Sequence, residues 1–296
     1  MLFILFSANF SLAQTGNAGA TGLAFLKLGV GARAGGLGGA FSAVSDDATA
    51  TFWNPAGLTY SHRAQVAFTH TEWVQDITNE FLAFIFPAFR GTIGLSVYAN
   101  NVGGIERRIN PSDEPIGTVE ANDIALGFSY ATSINSSLKA GLTVKYLYEK
   151  IFIESAAGYA FDFGLIFQPF SNSLRLAVVV QNLGSMNKLR AVSINLPKTV
   201  RLGVSYLLAL DEISGTVLLT ADGVKVIETD FRGGFGVELQ FKDRLAVRVG
   251  YQTGLFQQAF GGGLGLKINR YHLDYGFTPF DSNFGDTHRF SFAIVL

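Results

Sequence analysis

The sequence contains no cysteine. That excludes disulfide staples, thiol nucleophiles and cysteine-ligated metals. Charge is scarce: 15% of residues are Asp, Glu, Lys or Arg, against about 25% in an ordinary soluble domain. The 22 basic and 23 acidic residues leave a formal net charge of −1, so no positive field exists to attract nucleic acid. The four histidines, at 62, 70, 272 and 288, never fall two or four residues apart, which argues against a zinc centre. No metal or other cofactor is expected. Nor is there an uninterrupted apolar run of about 18 residues, the length a membrane-spanning helix needs.

What the chain does have is apolar bulk in an unusual distribution. Its 296 residues are 48% hydrophobic, with 27 Phe and 34 Gly. A chain this apolar, poor in charge and free of helix-length runs has the composition of a membrane β-barrel. From about residue 63 onward the pattern alternates with a period of two, which is the strand signature. In "LTVKYLYEK" one face carries Leu142, Val144, Tyr146 and Tyr148, the other Thr143, Lys145, Leu147 and Glu149. In "RLAVRVGYQ" Leu245, Val247, Val249 and Tyr251 oppose Ala246, Arg248, Gly250 and Gln252. "RFSFAIVL" sets Phe290, Phe292, Ile294 and Leu296 against Arg289, Ser291, Ala293 and Val295. A mid-strand Lys or Arg is costly in a dry sandwich core but ordinary in a polar barrel lumen.

Fourteen such segments can be marked between residues 64 and 296, an even number as bacterial outer-membrane barrels require. The connections alternate in length. Residues 100–117, 184–197 and 278–286 are long; "AFR" after Pro87, 169–172, 242–243 and 269–270 are short. Short turns on one side and long loops on the other predict both chain ends in the periplasm. The start, "MLFILFSANFSLAQ", has a short apolar core and small residues at Ser11 and Ala13, the pattern of a secretory signal peptide cut after Ala13.

Residues 15–62 do not alternate and are rich in Gly, Ala, Ser and Thr. Such a segment has too few large side chains to make its own core. It suits the lumen of a fourteen-stranded barrel, which wall side chains alone do not fill. The spacing predicts a short helix within Ala40–Phe52, capped by Ser45, with Asp46 and Asp47 in its first turn and Asn54-Pro55 as its stop. Arg33 is a lone cation in this segment. It is either a latch to a lumen acid, with Glu149, Asp162 and Glu238 as candidates, or a cation facing lumen water.

Other motifs carry less. "GVGARA" matches a dinucleotide fingerprint but lacks the helix after it and the acid about twenty residues on. "DSNFGD" (Asp281–Asp286) offers oxygen ligands without a complete calcium loop. No G-x-S-x-G elbow is present, and no catalytic machinery is expected.

"LKLGVGARAGGLGGAFSAVSDDATATFWNPAGL" resembles the N-terminal hatch of the PorV/PorQ family, which is related to FadL-type long-chain fatty-acid transporters. The residues that carry the likeness are Gly31, Arg33, Asp46, Asp47, Trp53, Asn54, Pro55, Ala56 and Gly57. The C-terminal "DYGFTPFDSNFGDTHRFSFAIVL" resembles that family's ending, with Gly285, Thr287, His288 and Arg289 at its motif positions. The resemblance implies an all-β, 14-stranded antiparallel transmembrane barrel with the hatch in its lumen: residues 1–13 signal peptide, 14–62 hatch, 63–296 barrel. It implies a non-enzymatic role in type IX secretion, with outer-membrane lipid, the translocon and secreted cargo proteins as partners. The alternative is passive transport of a hydrophobic ligand. A continuous apolar pocket between hatch and wall, or a wall opening near 91–104, would support that alternative. For a protein partner, the loop residues Glu106, Arg107, Arg108, Asp113 and Glu114 are the expected contacts, because mixed charge on a proline-stiffened loop suits docking.

Overall fold

The computed structural model describes residues 21–73, 77–108, 114–169, 173–211, 214–227, 231–254, 259–279 and 285–296. The expected signal peptide, the start of the expected hatch and most of "DSNFGD" lie outside them. Fourteen strands form one closed antiparallel barrel. They are β1 (Gln65–Glu72), β2 (Ile77–Ala88), β3 (Gly91–Arg107), β4 (Gly117–Ser133), β5 (Leu138–Ile151), β6 (Glu154–Phe167) and β7 (Leu174–Met186), then β8 (Thr199–Leu210), β9 (Gly215–Val226), β10 (Phe231–Phe241), β11 (Leu245–Thr253), β12 (Ala259–Ile268), β13 (Tyr271–Thr278) and β14 (Thr287–Val295). Each strand pairs with its neighbours in sequence, and β1 closes on β14 with Gln65 opposite Val295 and Glu72 opposite His288. Closure leaves no free edge around the wall, the condition for crossing hydrocarbon with strands.

The period-two faces separate as the sequence pattern predicts. On β5, Thr143, Lys145, Leu147 and Glu149 are buried inside while Leu142 and Tyr146 are exposed outside. On β11, Arg248 is buried between exposed Val247 and Val249; on β14, Arg289 is buried beside exposed Phe290. Tight turns gather at one end. Phe89 and Arg90 have φ of 52° and 60°, and Lys242 and Asp243 have 49° and 51°. Positive φ at both central residues matches the right-handed twist of the strands they join. The last residue lies at this end too, its N–H donated to the Ala64 carbonyl.

The opposite end carries the connections 108–116, 187–198 and 279–286. Two details there differ from the sequence pattern. The β3–β4 ladder continues past a bulge between Val102 and Ile105 to Arg107 opposite Gly117, so the expected 100–117 loop shrinks to 108–116. The bulge absorbs Gly103 and Gly104, the latter at φ 69°, and pairing resumes beyond it. Also, β7 pairs with β8 only as far as Gln181 opposite Thr199, while its upper part stays paired with β6. The 187–198 connection turns inward there, and the Asn195 carbonyl accepts from Gly22 N–H.

Residues 21–61 occupy the lumen. They form a 3₁₀ turn (Ala24–Lys27), α1 (Ala32–Gly36), α2 (Ala50–Trp53) and a second 3₁₀ turn (Pro55–Tyr60). Phe25, Phe41, Phe52 and Trp53 are buried with the wall residues Phe81 and Tyr98 in one cluster. The expected Ser45-capped helix is not what forms. Asp222 on β9 accepts the N–H groups of Phe41 and Ser42, which holds that stretch in turns. The Ser45 hydroxyl donates back to the Phe41 carbonyl. Asp47 instead accepts from the Thr49 N–H at 2.8 Å, and helix begins only at Ala50. The stop is as expected: Asn54 is extended (φ −161°, ψ 105°) ahead of Pro55.

Candidate functional site

The inner segment is held to the wall at two places. The first is an ion network near the tight-turn end. Arg33 lies on α1, just after Gly31, whose φ of 88° starts the turn. Its guanidinium forks onto Glu238 of β10, with Nε to Oε2 at 2.9 Å and Nη2 to Oε1 at 2.8 Å. Its Nη1 donates to Asp46 at 2.7 Å. Glu238 also accepts from Arg248 Nε at 2.5 Å, and Arg248 Nη1 reaches Asp274 of β13 at 2.5 Å. The chain Asp46–Arg33–Glu238–Arg248–Asp274 therefore ties the inner segment to three wall strands. Paired planar forks of this kind are the strong, geometrically specific ion pairs. Burial works against the charge on Arg33, but Glu238 and Asp46 more than offset it and hold the guanidinium well above its usual range. Asp47 lies alongside; burial raises its carboxyl, and nearby Arg33 offsets this in part.

Of the three acids expected for Arg33, Glu238 is the partner. Asp162 pairs with Lys145 at 2.7 Å, and Glu149 lies opposite Asp123 across β4 and β5. A cavity of about 250 Å³ surrounds the network, lined among others by Arg33, Asp46, Asp47, Glu238, Lys267 and His272.

The second attachment is the "WNPAGL" stretch. Trp53 is buried and donates Nε1–H to the Val30 carbonyl at 2.9 Å; Gly29 leaves room for its ring. Asn54 is fully buried. Its amide donates to the Ser42 carbonyl at 2.8 Å, and its Oδ1 accepts from Ala56 N–H at 3.1 Å, capping the 3₁₀ turn. Pro55 opens that turn, whose residues Pro55, Ala56 and Gly57 are all buried. A side chain at Gly57 would strike the Ser45 carbonyl, one at Gly141 of β5 the Pro55 backbone, and one at Gly164 of β6 the Asn54 amide. The motif and two wall glycines therefore form one close-packed joint.

The rim residues are elsewhere. Glu106 and Arg107 end β3 rather than sitting in a loop. Arg108 pairs with Glu106 at 2.6 Å, and the Arg107 guanidinium lies 5.3 Å from the Phe152 ring centroid. Glu114 is exposed; Asp113 lies outside the described residues. The sequence reading passed over Arg248, Asp274, Gln181, Arg201 and Asp222 as site residues. Their signal was there: each is a polar or charged side chain at an inward-facing position of a strand whose outward face is largely apolar.

The wall is closed over 91–102, the stretch where an opening would have supported the transport alternative. β3 pairs with β2 from Gly91 to Val102 and with β4 from Gly91 to Arg107, interrupted by the bulge alone. Cavities of about 250 and 60 Å³ that touch both the inner segment and the wall are lined largely by charged, polar and glycine residues. Apolar grooves of about 430 and 740 Å³ are lined instead by outward-facing strand residues such as Phe235 and Val249, or Leu264 and Phe290.

The sequence model of the family described as "Type IX secretion system protein PorV" matches residues 11–226. No curated protein matches the sequence. Among solved structures, the Ralstonia pickettii toluene transporter TbuX is similar, with 13% identity, a TM-score of 0.64, and coverage of 90% of this chain and 98% of that one. The CymD monoaromatic hydrocarbon channel gives 14% identity and a TM-score of 0.64, covering 90% and 98%. A Pseudomonas aeruginosa FadL homologue gives 11% and 0.51, covering 88% and 96%. At these identities the likeness is one of fold.

Proposed function

The chain belongs to the PorV family of type IX secretion system proteins, and on that premise we propose that it serves as a non-enzymatic docking barrel, receiving secreted proteins at the outer membrane for delivery to the cell surface. The barrel is of the outer-membrane type. In this reading the tight-turn end and both chain termini face the periplasm, residues 1–13 act as a signal peptide, and residues 14–62 act as a hatch. Arg33, Asp46 and Asp47 latch the hatch, and Trp53 to Gly57 seat it. The translocon and its cargo meet the opposite rim through Glu106, Arg107, Arg108 and Glu114, with Asp113 of the same connection as a further expected contact.

The observation that carries this reading over hydrophobic transport is the wall itself. A barrel passing an apolar solute sideways into the bilayer needs a gap in its ladder and an apolar path to it. Here the glycine-containing stretch of β3 stays paired on both sides, the β7 residues that outrun β8 meet the 187–198 connection through Asn182 and the Pro197 carbonyl, and the cavity beside Arg33 is charged. The fold shared with hydrocarbon channels does not by itself carry their function.

The test replaces residues 108–116 with a Gly-Ser turn. The barrel should insert normally while secreted cargo accumulates in the periplasm instead of on the surface. Normal surface display, with uptake of a hydrophobic solute falling instead, would reverse the assignment.

A further inference from the structure

The lumen treats its cations in two ways. Near the tight-turn end most buried bases have an acid: Arg33 and Arg248 share Glu238, and deeper along the wall Lys145 has Asp162, whereas Lys139 lies against the Tyr60 ring instead. Toward the long-loop end two arginines do not. Arg201 of β8 and Arg289 of β14 are 6% and 7% exposed, and among the described residues no carboxylate lies within ion-pair distance of either. Arg201 donates Nε–H to Gln181 at 2.7 Å, and its guanidinium lies 4.9 Å from the Trp53 ring. Arg289 donates one Nη1–H to Thr278 at 3.2 Å and lies 5.4 Å from the Trp73 ring. Its Nε–H is buried with no partner.

Asp222 and Asp162 act on Arg201 only at longer range, and Arg232 adds positive charge to the same region. Both arginines line a cavity of about 60 Å³, together with Lys27, Trp53, Trp73 and Gln252. Lys27 donates to Thr21 at 3.0 Å, a neutral partner. A buried guanidinium without a counter-charge is strongly disfavoured. An aromatic face helps to orient it but supplies no negative charge.

We propose that this chamber is a binding site for a small oxyanion, a phosphate or carboxylate group, which completes the two guanidinium forks and bridges the hatch to the wall. The guanidinium fork matches two oxygens of such a group. The cavity admits a group of that size and no acyl chain. Lys27 and Trp53 come from the inner segment, whereas Arg201, Trp73 and Arg289 come from the wall, so an ion held between them acts as a removable strut. The site depends on the lumen geometry alone and not on the secretion role.

The chain has two tryptophans, and both line this chamber, so their fluorescence reports on it directly. The purified barrel in detergent is titrated with inorganic phosphate at constant ionic strength, with chloride as the balancing anion. Wild type should give a saturable change that chloride does not reproduce. Arg289→Met should abolish it, and Arg289→Lys, which keeps the charge but loses the fork, should weaken binding at least tenfold. The lysine variant also guards against simple misfolding of the methionine one, and heat-modifiable gel mobility reports folding for both. Acetate competing with phosphate identifies a carboxylate-type site; phosphate alone saturating identifies a tetrahedral one. A tightly held ion carried through purification would appear by ion chromatography of the denatured protein. No saturable response together with no released oxyanion, or an identical response in Arg289→Met, overturns the proposal.

Discussion

Glu238 is the hub of the ion network, and its removal should cost more than removal of Arg33. Arg33→Ala deletes one fork but leaves Glu238 its bond to Arg248. Glu238→Ala takes one of two acids from both arginines at once, because both guanidiniums donate to that carboxylate. Each keeps a second acid, Asp46 or Asp274, with side chains 32% and 19% exposed. Breaking a buried pair from one side costs about 3–5 kcal/mol. Glu238, 5% exposed, fits that range, whereas Arg33, 22% exposed, should cost roughly half as much. At about 1.4 kcal/mol per decade, Glu238→Ala should raise the population with a displaced inner segment by about two to three and a half decades. The assays are single-channel conductance in planar bilayers and hydrogen exchange over residues 21–61, with gel mobility confirming a closed barrel. Open-channel events should be more frequent in Glu238→Ala than in Arg33→Ala, and both should exceed wild type. Equal effects, or a larger one at Arg33, would refute the hub; unchanged conductance in both would show that the network does not hold the segment.

Further expectations follow from the joint and the lumen. Asn54→Ala removes the bond to the Ser42 carbonyl and the cap on Ala56, which should lower the stability of the inner segment by about 1–3 kcal/mol, read as loss of exchange protection. Gly141→Val places a side chain against the Pro55 backbone and should release the 3₁₀ turn while the strand ladder persists, seen as protease sensitivity near residue 58 in a barrel that still migrates compactly. Asp47 has a carboxyl raised by burial, so its stabilising contribution is full below the ordinary carboxylate range and is lost as pH rises through its raised value. Asp47→Asn keeps an acceptor for Thr49 and should remove that pH dependence from the thermal unfolding of the inner segment; an unaltered pH profile would assign it to another group. The purified barrel should show a β-type circular dichroism spectrum and shift in gel mobility on heating, because a closed ladder opens slowly.

Much of this molecule is legible in one dimension. Period two over residues 63–296 identified the strands and their faces, because side-chain direction in a strand is set by local geometry. The buried Arg248 and Arg289, flanked by exposed Val247, Val249 and Phe290, were visible as inward-facing cations before any pairing was known. Asn54-Pro55 was readable as a helix stop for the same local reason. What the sequence could not decide was which distant groups meet. Arg33 had three candidate acids, and only the shear of the closed barrel brings Glu238 to it, from a position 205 residues away. In the region of 40–52 helix forms only over Ala50–Trp53, because Asp222, remote in sequence, accepts the N–H groups of Phe41 and Ser42 and holds the earlier part in turns against local propensity. The loop at 100–117 shortened because a bulge let the ladder resume, a matter of register with β4. The contrast between paired and unpaired lumen cations exists only in three dimensions, since a counter-charge is defined by distance and not by order along the chain.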